Sequence, residues 1–390
     1  MKYALVTDGL WRKSISVIRA LGKADYNVSV MGDSIFTTGF FTRFTKKRFI
    51  SPEAAKDKEQ FGKKLTYILK NYPFPEKPVL FPMEDASLMW VSEHEEELKK
   101  YSDFLIPPRK ALLTAEDKLE TMRAAKREGI PHPFTWEPET VEDFIDIINK
   151  IQGDNIIVKP RTGCGSSGII YGKSLSDDEW KDHWNKYGRL LIQDRVPKEG
   201  HGIGVGLLMD KDGECKAAFV HERLKQYPIS GGPSTDRRSI HNEKLINLSI
   251  KLLKSLSFRG IGMVEWKEDI RDGIPKLMEI NPRFWGSLEL AVRSGVNFPV
   301  LYAKASKGEE VQDMFDYKEN VRVRWMIPGD ILRHMSEPKD KKEKLSVFLK
   351  GLPKDAEEWD KEDVRGSIAC VICPALLVIN PKYWKYLKRK

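Results

Sequence analysis

Cysteine is scarce in this chain, with four in 390 residues. That is too few for a disulfide framework and sets the expectation of a reducing, cytoplasmic setting. No run reaches the 18 apolar residues of a membrane-crossing helix, so no transmembrane segment is expected. The start, MKYALVTDGLWRKS, has no long apolar core and is interrupted by Asp8, so no signal peptide is expected. Two phosphate-binding patterns are missing: no GxGxxG follows the first strand-like segment, and GxxxxGK[ST] is absent. Neither a dinucleotide fold at the N-terminus nor a P-loop has support. Cys370 and Cys373 form a CxxC with no second pair, which argues for packing thiols over zinc. Repeats, low-complexity tracts and nucleic-acid motifs are also lacking, and no nucleic-acid partner is expected.

What is present is ordinary soluble composition, 41% hydrophobic and 32% charged, with a net charge of +9 that favours anionic partners. Tyr3–Thr7 and Val28–Met31 read as strands around an amphipathic segment carrying Ile15, Ile18 and Leu21. Val79–Phe81 and Phe104–Ile106 read as further strands flanking a helix over 85–100. Residues 1–112 thus suggest a small open α/β domain, closed by Pro107-Pro108. Thr114 to Asp117 resembles a helix-starting capping box, with Lys118 in the first turn. Ile156–Lys159 is a short strand that runs into RTGCGSSG, where three glycines and two serines can cradle phosphate with backbone N–H groups. A ligand-free glycine hairpin is the plain alternative. Leu190–Gln193 is a buried strand, Ile203–Met209 and Glu214–Glu222 form a hairpin, and His241–Leu256 is a core helix. Between them QYPISGGPSTDRRS reads as a loop in which Arg237 and Arg238 grip an acidic substrate, or as an ordinary basic loop. Ile368–Ile379 is an apolar run followed by PKYWKYLKRK. Burial as a C-terminal strand and tail is the favoured reading, and peripheral contact with a membrane surface is the other.

The most informative stretch is MEINPRFWGSL, Met278 to Leu288. Glu279 and Asn281 are two apart and share one face of a strand. Asp272-Gly273 is a hairpin signal midway between Glu265 and Glu279, so an antiparallel hairpin brings those carboxylates opposite each other. Facing like charges destabilise a ladder. A hard cation relieves them, and two carboxylates with an Asn carbonyl are ligands that magnesium accepts alongside phosphates. A solvated sheet face is the plain alternative.

Lysine at a helix start, lysine ending a strand, a glycine flap, a strand-to-loop hinge and a late Glu…Glu-x-Asn hairpin, in that order, resemble the ATP-grasp superfamily over residues 1–310. VKPRTGCGSSG and MEINPRFWGS carry the resemblance best, and the carbamoyl-phosphate-synthase-type branch and the ATP-dependent carboligases are the most similar groups. The resemblance implies an α/β and α+β architecture. It would comprise a pre-ATP-grasp domain at 1–112, an N-lobe at 113–190, a C-lobe at 191–312 with ATP clasped between the lobes, and a C-terminal extension at 313–390 of unassigned role. It implies that Lys118 and Lys159 contact the phosphates, with Gly163, Gly165, Ser166, Ser167 and Gly168 as the flap. Gln193, Asp194 and Val196 would meet adenine largely through backbone atoms, and Glu199 the ribose. Glu265, Glu279 and Asn281 would bind two magnesium ions, with manganese able to substitute, and Arg283 would stabilise the transferring phosphoryl group. Gln193 departs from the pattern, which often has Glu there, and so does Cys164 in the flap.

The chemistry so implied is ATP-dependent joining of a small-molecule carboxylate to an amine through an acyl phosphate. A bicarbonate-using carboxylase or carbamoyl-phosphate-forming enzyme is the alternative within the same fold. A non-catalytic nucleotide- or nucleic-acid-binding protein is the alternative outside it.

Overall fold

The alternation at the N-terminus is realised as a parallel sheet. The computed structural model describes residues 2–163, 168–229, 231–338, 340 and 342–379. Strands β1 (Lys2–Val6), β2 (Tyr26–Gly32), β3 (Thr45–Ile50) and β4 (Val79–Phe81) lie in the order β3-β2-β1-β4, all parallel. Parallel neighbours need crossovers, and the helices Arg12–Lys23 and Lys58–Asn71 supply two of them. Phe104–Ile106, expected as a strand, adds none to this sheet; only Asp103 bridges to Val79. The prolines that follow lack amide donors and hold an extended backbone that cannot continue the ladder. The helix expected over 85–100 is two, Asp85–Glu93 and Glu95–Leu98, broken at His94.

A second, antiparallel sheet contains β5 (Thr135–Trp136), β6 (Ile156–Pro160), β7 (Ile170–Tyr171) and β8 (Leu190–Asp194), ordered β5-β8-β6-β7. It has its own small core of Phe144, Val158, Trp180 and Ile192. The helix expected to start at Thr114 starts later. Thr114 lies inside the helix Arg109–Glu116, and Asp117 caps the next helix, Lys118–Arg127, by accepting from Leu119 N at 2.9 Å. An Asp carboxylate outcompetes a Thr hydroxyl there because it also pairs with Arg161.

The third sheet is antiparallel and six-stranded, ordered β13-β12-β9-β10-β11-β14. Its strands are β9 (Gly202–Met209), β10 (Cys215–Gln226), β11 (Ser234–Ile240), β12 (Gly260–Asp269), β13 (Ile274–Asn281) and β14 (Arg322–Arg324). One face packs on the helices Lys118–Arg127 and Glu243–Ser255 through Met122, Leu207, Leu252 and Val264. The other shares a single core with the parallel sheet, where Leu208, Phe219, Phe284 and Trp285 meet Val6, Val28 and Phe81. Each such side chain, fully buried, contributes about 1.5–3 kcal/mol, which fixes the two sheets against each other.

Beyond residue 313 the chain returns to the N-terminal unit. Arg19 donates to Asp363 at 2.9 Å and Arg12 to Glu357 at 3.1 Å. The apolar run Ile368–Ile379, expected as a buried strand, belongs to a helix, Val364–Ile379, with one apolar face exposed. Its length suits either state. A helix satisfies its own backbone groups, whereas a strand here would need a sheet edge to pair with. Among the described residues no helix is long and apolar enough to cross a membrane.

Candidate active site

The hairpin β12–β13 folds in the expected register, with Glu265 opposite Glu279 and Met263 opposite Asn281. Gly273 takes φ +68° in the turn, and Asp272 Oδ1 accepts from Ile274 N at 2.9 Å. Asn281 Nδ2 donates to both carboxylates, 3.2 Å to Glu265 and 3.2 Å to Glu279. Arg223, reaching from β10, forms an ion pair with Glu265. Burial pushes the Glu265 carboxyl up, the Arg223 guanidinium pulls it down, and the Glu279 charge adds to the rise, which prevails. Arg283, just past β13, donates to Asp85 at 2.7 Å and so ties the hairpin to the N-terminal unit. Burial alone would raise Asp85, but Arg283 and Lys13 together bring it below the usual carboxylate range.

Lys159 is the last residue but one of β6 and only 5% exposed, and its ammonium has no hydrogen-bond or ion-pair partner among the described residues. Burial pushes its ammonium down to about 8, the nearby Lys118 adds to the fall, and Glu279 opposes it. The two lysines and the hairpin acid thus lie within electrostatic reach of one another, although 41 and 120 residues of chain separate Lys159 from Lys118 and Glu279. Lys118 Nζ donates to Gly163 O at 2.7 Å, at the mouth of the glycine segment. Gly163 and Gly168 both have φ in the left-handed region, at +105° and +73°. Gly165, Ser166 and Ser167 lie outside the described residues.

At the hinge, the Gln193 side chain is buried and donates to Thr135 at 2.8 Å. Asp194 N and Arg195 N are taken by Phe134 O and Asn155 O. Val196 N has no hydrogen-bond partner among the described residues. Glu199 is exposed on the following turn, where its charge reaches Lys267.

Arg237 and Arg238 do not form the expected gripping loop. They sit in strand β11, not a loop, so adjacent side chains point to opposite faces and cannot grip one ligand together. Arg237 is fully buried and paired with Glu357, whereas the half-exposed Arg238 pairs with Glu222. Removing one member of a buried pair costs about 3–5 kcal/mol, against about 0–1 kcal/mol for a partly exposed one. Arg237→Ala should therefore lower the melting temperature severely and Arg238→Ala hardly at all. Equal losses in a thermal melt would contradict this placement.

Arg237 belongs to a polar junction that sequence reading missed. Arg12, stacked 4.4 Å over the Trp325 ring, shares Glu357 with Arg237. His221 exchanges a 3.0 Å hydrogen bond with Ser287, and the pKa of its ring is pushed well below the usual histidine value by burial, then by the charges of Arg223 and Arg237. Polar atoms of His221, Arg223, Arg237 and Glu358 are buried there without hydrogen-bond partners among the described residues. Alternation in β10 places His221 and Arg223 on one face. Nothing in the sequence connects them to Glu357, more than 130 residues later.

The donor set fits a hard divalent cation. Two carboxylates are held opposite each other, and half a turn of the Asn281 amide would present its oxygen beside them. A family described as "ATP-grasp in the biosynthetic pathway with Ter operon" matches residues 199–327. The ribosomal protein bS6–L-glutamate ligase of Escherichia coli O7:K1 (strain IAI39 / ExPEC) is 22% identical over 178 residues, 44% of this chain. The match spans 57% of that relative's length. Among solved structures, the biotin carboxylase domain of Hydrogenobacter thermophilus 2-oxoglutarate carboxylase, in complex with MgADP, ADP and bicarbonate, superposes with TM-score 0.66 at 16% identity. That match covers 82% of this chain and 73% of the other. An L-amino acid ligase from Bacillus licheniformis gives 0.60 at 14% identity, covering 79% and 74%. N5-carboxyaminoimidazole synthetase from Staphylococcus aureus gives 0.60 at 15%, covering 83% and 82%.

Proposed function

The chain has the ATP-grasp fold, and on that premise we propose that it is an ATP-dependent ligase that joins a carboxylate to an amine. The observation that carries the proposal is the convergence of Lys159, Lys118 and the Glu265–Glu279–Asn281 face from three separate parts of the chain. A buried ammonium with no partner among the described residues is costly unless an anion arrives, and a nucleotide phosphate is such an anion. The Val196 N–H, which has no partner among the described residues, suits an adenine acceptor nitrogen, and Glu199 is the candidate for the ribose.

In the proposed reaction a substrate carboxylate oxygen attacks the γ-phosphorus of ATP, and the bond to the β-phosphate oxygen breaks to release ADP. The amine nitrogen then attacks the acyl carbon, phosphate leaves with the bonding pair, and the amine loses a proton. Such transfers need positioning and charge neutralisation more than a protein nucleophile. Lys118 and Lys159 hold phosphate oxygens, and Arg283, steadied by Asp85, faces the charge that develops. Glu265, Glu279 and Asn281 would hold magnesium, two ions in the fuller reading, which supplies charge neutralisation when bound.

Mg-ATP, or a non-hydrolysable analogue, should raise the melting temperature at millimolar concentration, and only with magnesium present. A folded sample that shows no shift would end the proposal. ADP release across a panel of carboxylates and amines then finds the substrates. The panel should include bicarbonate alone, because one structural relative is described with bicarbonate bound. Turnover with bicarbonate and no added carboxylate would favour the carboxylase reading.

A further inference from the structure

We propose that the helix Val364–Ile379 docks the protein on an anionic lipid bilayer surface, lying in the plane of the interface. Val364, Ile368, Val371, Ile372 and Leu376 are 39–53% exposed. Spaced four, three, one and four apart, they fall on one face of a 3.6-residue helix. The opposite face is committed: Ala369 and Cys373 are buried, and Ser367 accepts a hydrogen bond from Arg19 at 3.2 Å. The buried Arg19–Asp363 ion pair pins the helix start. Among the described residues the helix therefore cannot roll to hide its apolar side.

Charge selects the occupant. From Val364 to Lys390 the chain contains no Asp or Glu. Its last ten residues, PKYWKYLKRK, which lie outside the described residues, bring five Lys or Arg and Tyr383, Trp384 and Tyr386 by sequence. An apolar helix face joined to basic and aromatic residues matches the layers of an anionic interface. Apolar side chains meet the acyl boundary, aromatic rings sit at headgroup depth, and cations meet lipid phosphates. The 16 described residues of the helix are too few to cross the hydrocarbon core, and the contact we propose is peripheral. This inference is independent of the proposed ligase activity.

The test is co-sedimentation of the full chain with vesicles of phosphatidylcholine alone and of phosphatidylcholine mixed equally with phosphatidylglycerol. At low salt the anionic vesicles should bind at least about tenfold more protein, and the excess should shrink as salt screens the charges. The double variant Ile368→Asp, Ile372→Asp should lose the binding while keeping the melting temperature. If that variant fails to fold, Lys382→Glu with Lys385→Glu and Lys388→Glu replaces it, and should abolish the preference for anionic vesicles. Equal pelleting with both vesicle types, or none with either, would overturn the proposal. So would a dimer, seen by light scattering, that the Ile368/Ile372 variant breaks while vesicles bind nothing: the face would then belong to a second copy of this chain.

Discussion

Glu279→Gln should lower ADP release by about two orders of magnitude or more, because charge stabilisation at phosphoryl transfer is commonly worth several kcal/mol. The substitution keeps the size of the side chain and an oxygen for Asn281 Nδ2, which lies 3.2 Å from Glu279. What it removes is one of two carboxylates that face each other across β12 and β13. Without a cation those charges repel, so the variant should fold as well as the parent or slightly better. It also takes away a charge near Lys159 that favours its charged form, against Lys118 and burial. Melting temperature and ADP production, measured side by side with and without magnesium, separate the two roles. A carboxylate that merely decorates the sheet would leave activity intact and the magnesium dependence of the melt unchanged. Full turnover in the variant would remove Glu279 from the metal site.

The hairpin was readable because its evidence is local. The turn at Asp272-Gly273, a period of two and the spacing of Glu265, Glu279 and Asn281 all lie within seventeen residues, and strand register follows from them. Lys118 and Lys159 were readable only as members of an ordered pattern, since neither carries a local sign of being near the other. The polar junction was not readable. Arg12, His221, Arg223 and Glu357 meet through tertiary packing of a helix, a strand and the C-terminal extension, and no periodicity spans such separations. Arg237 and Arg238 were misplaced because the Gly/Pro composition of 226–233 extends the look of a loop into β11. The residues that pair there are polar, and β-propensity reflects packing context more than residue type. The terminal helix failed for a related reason: twelve apolar residues fit a buried strand as well as a helix until the packing of Asp363 and Ser367 on Arg19 decides.

Lys159→Met should stabilise the unliganded protein near neutral pH and abolish tight nucleotide binding. Burial, helped by Lys118 and opposed by Glu279, brings the Lys159 ammonium to about 8 from the ordinary 10.5. Between those values the unfolded chain holds a proton that the folded one has released. Stability therefore rises with pH through that window, and below about pH 8 the full penalty of burying the charge remains. At about 1.36 kcal/mol per pKa unit the penalty is on the order of 3 kcal/mol. Methionine matches the length of the lysine stem without the charge, so the variant should melt higher than the parent at pH 7. The gap should close as pH climbs from about 8 toward 10. Nucleotide reverses the ranking, because a phosphate oxygen beside Lys159 restores the charged form and offsets the penalty. Binding of ATP to the parent near pH 9 should accordingly take up a proton, visible as a binding enthalpy that depends on the ionisation enthalpy of the buffer. The variant should show no such uptake at this site and should bind Mg-ATP about a hundredfold more weakly, the scale of a lost charged hydrogen bond. Parallel pH profiles for the two proteins, with equal nucleotide affinity, would place the phosphates elsewhere.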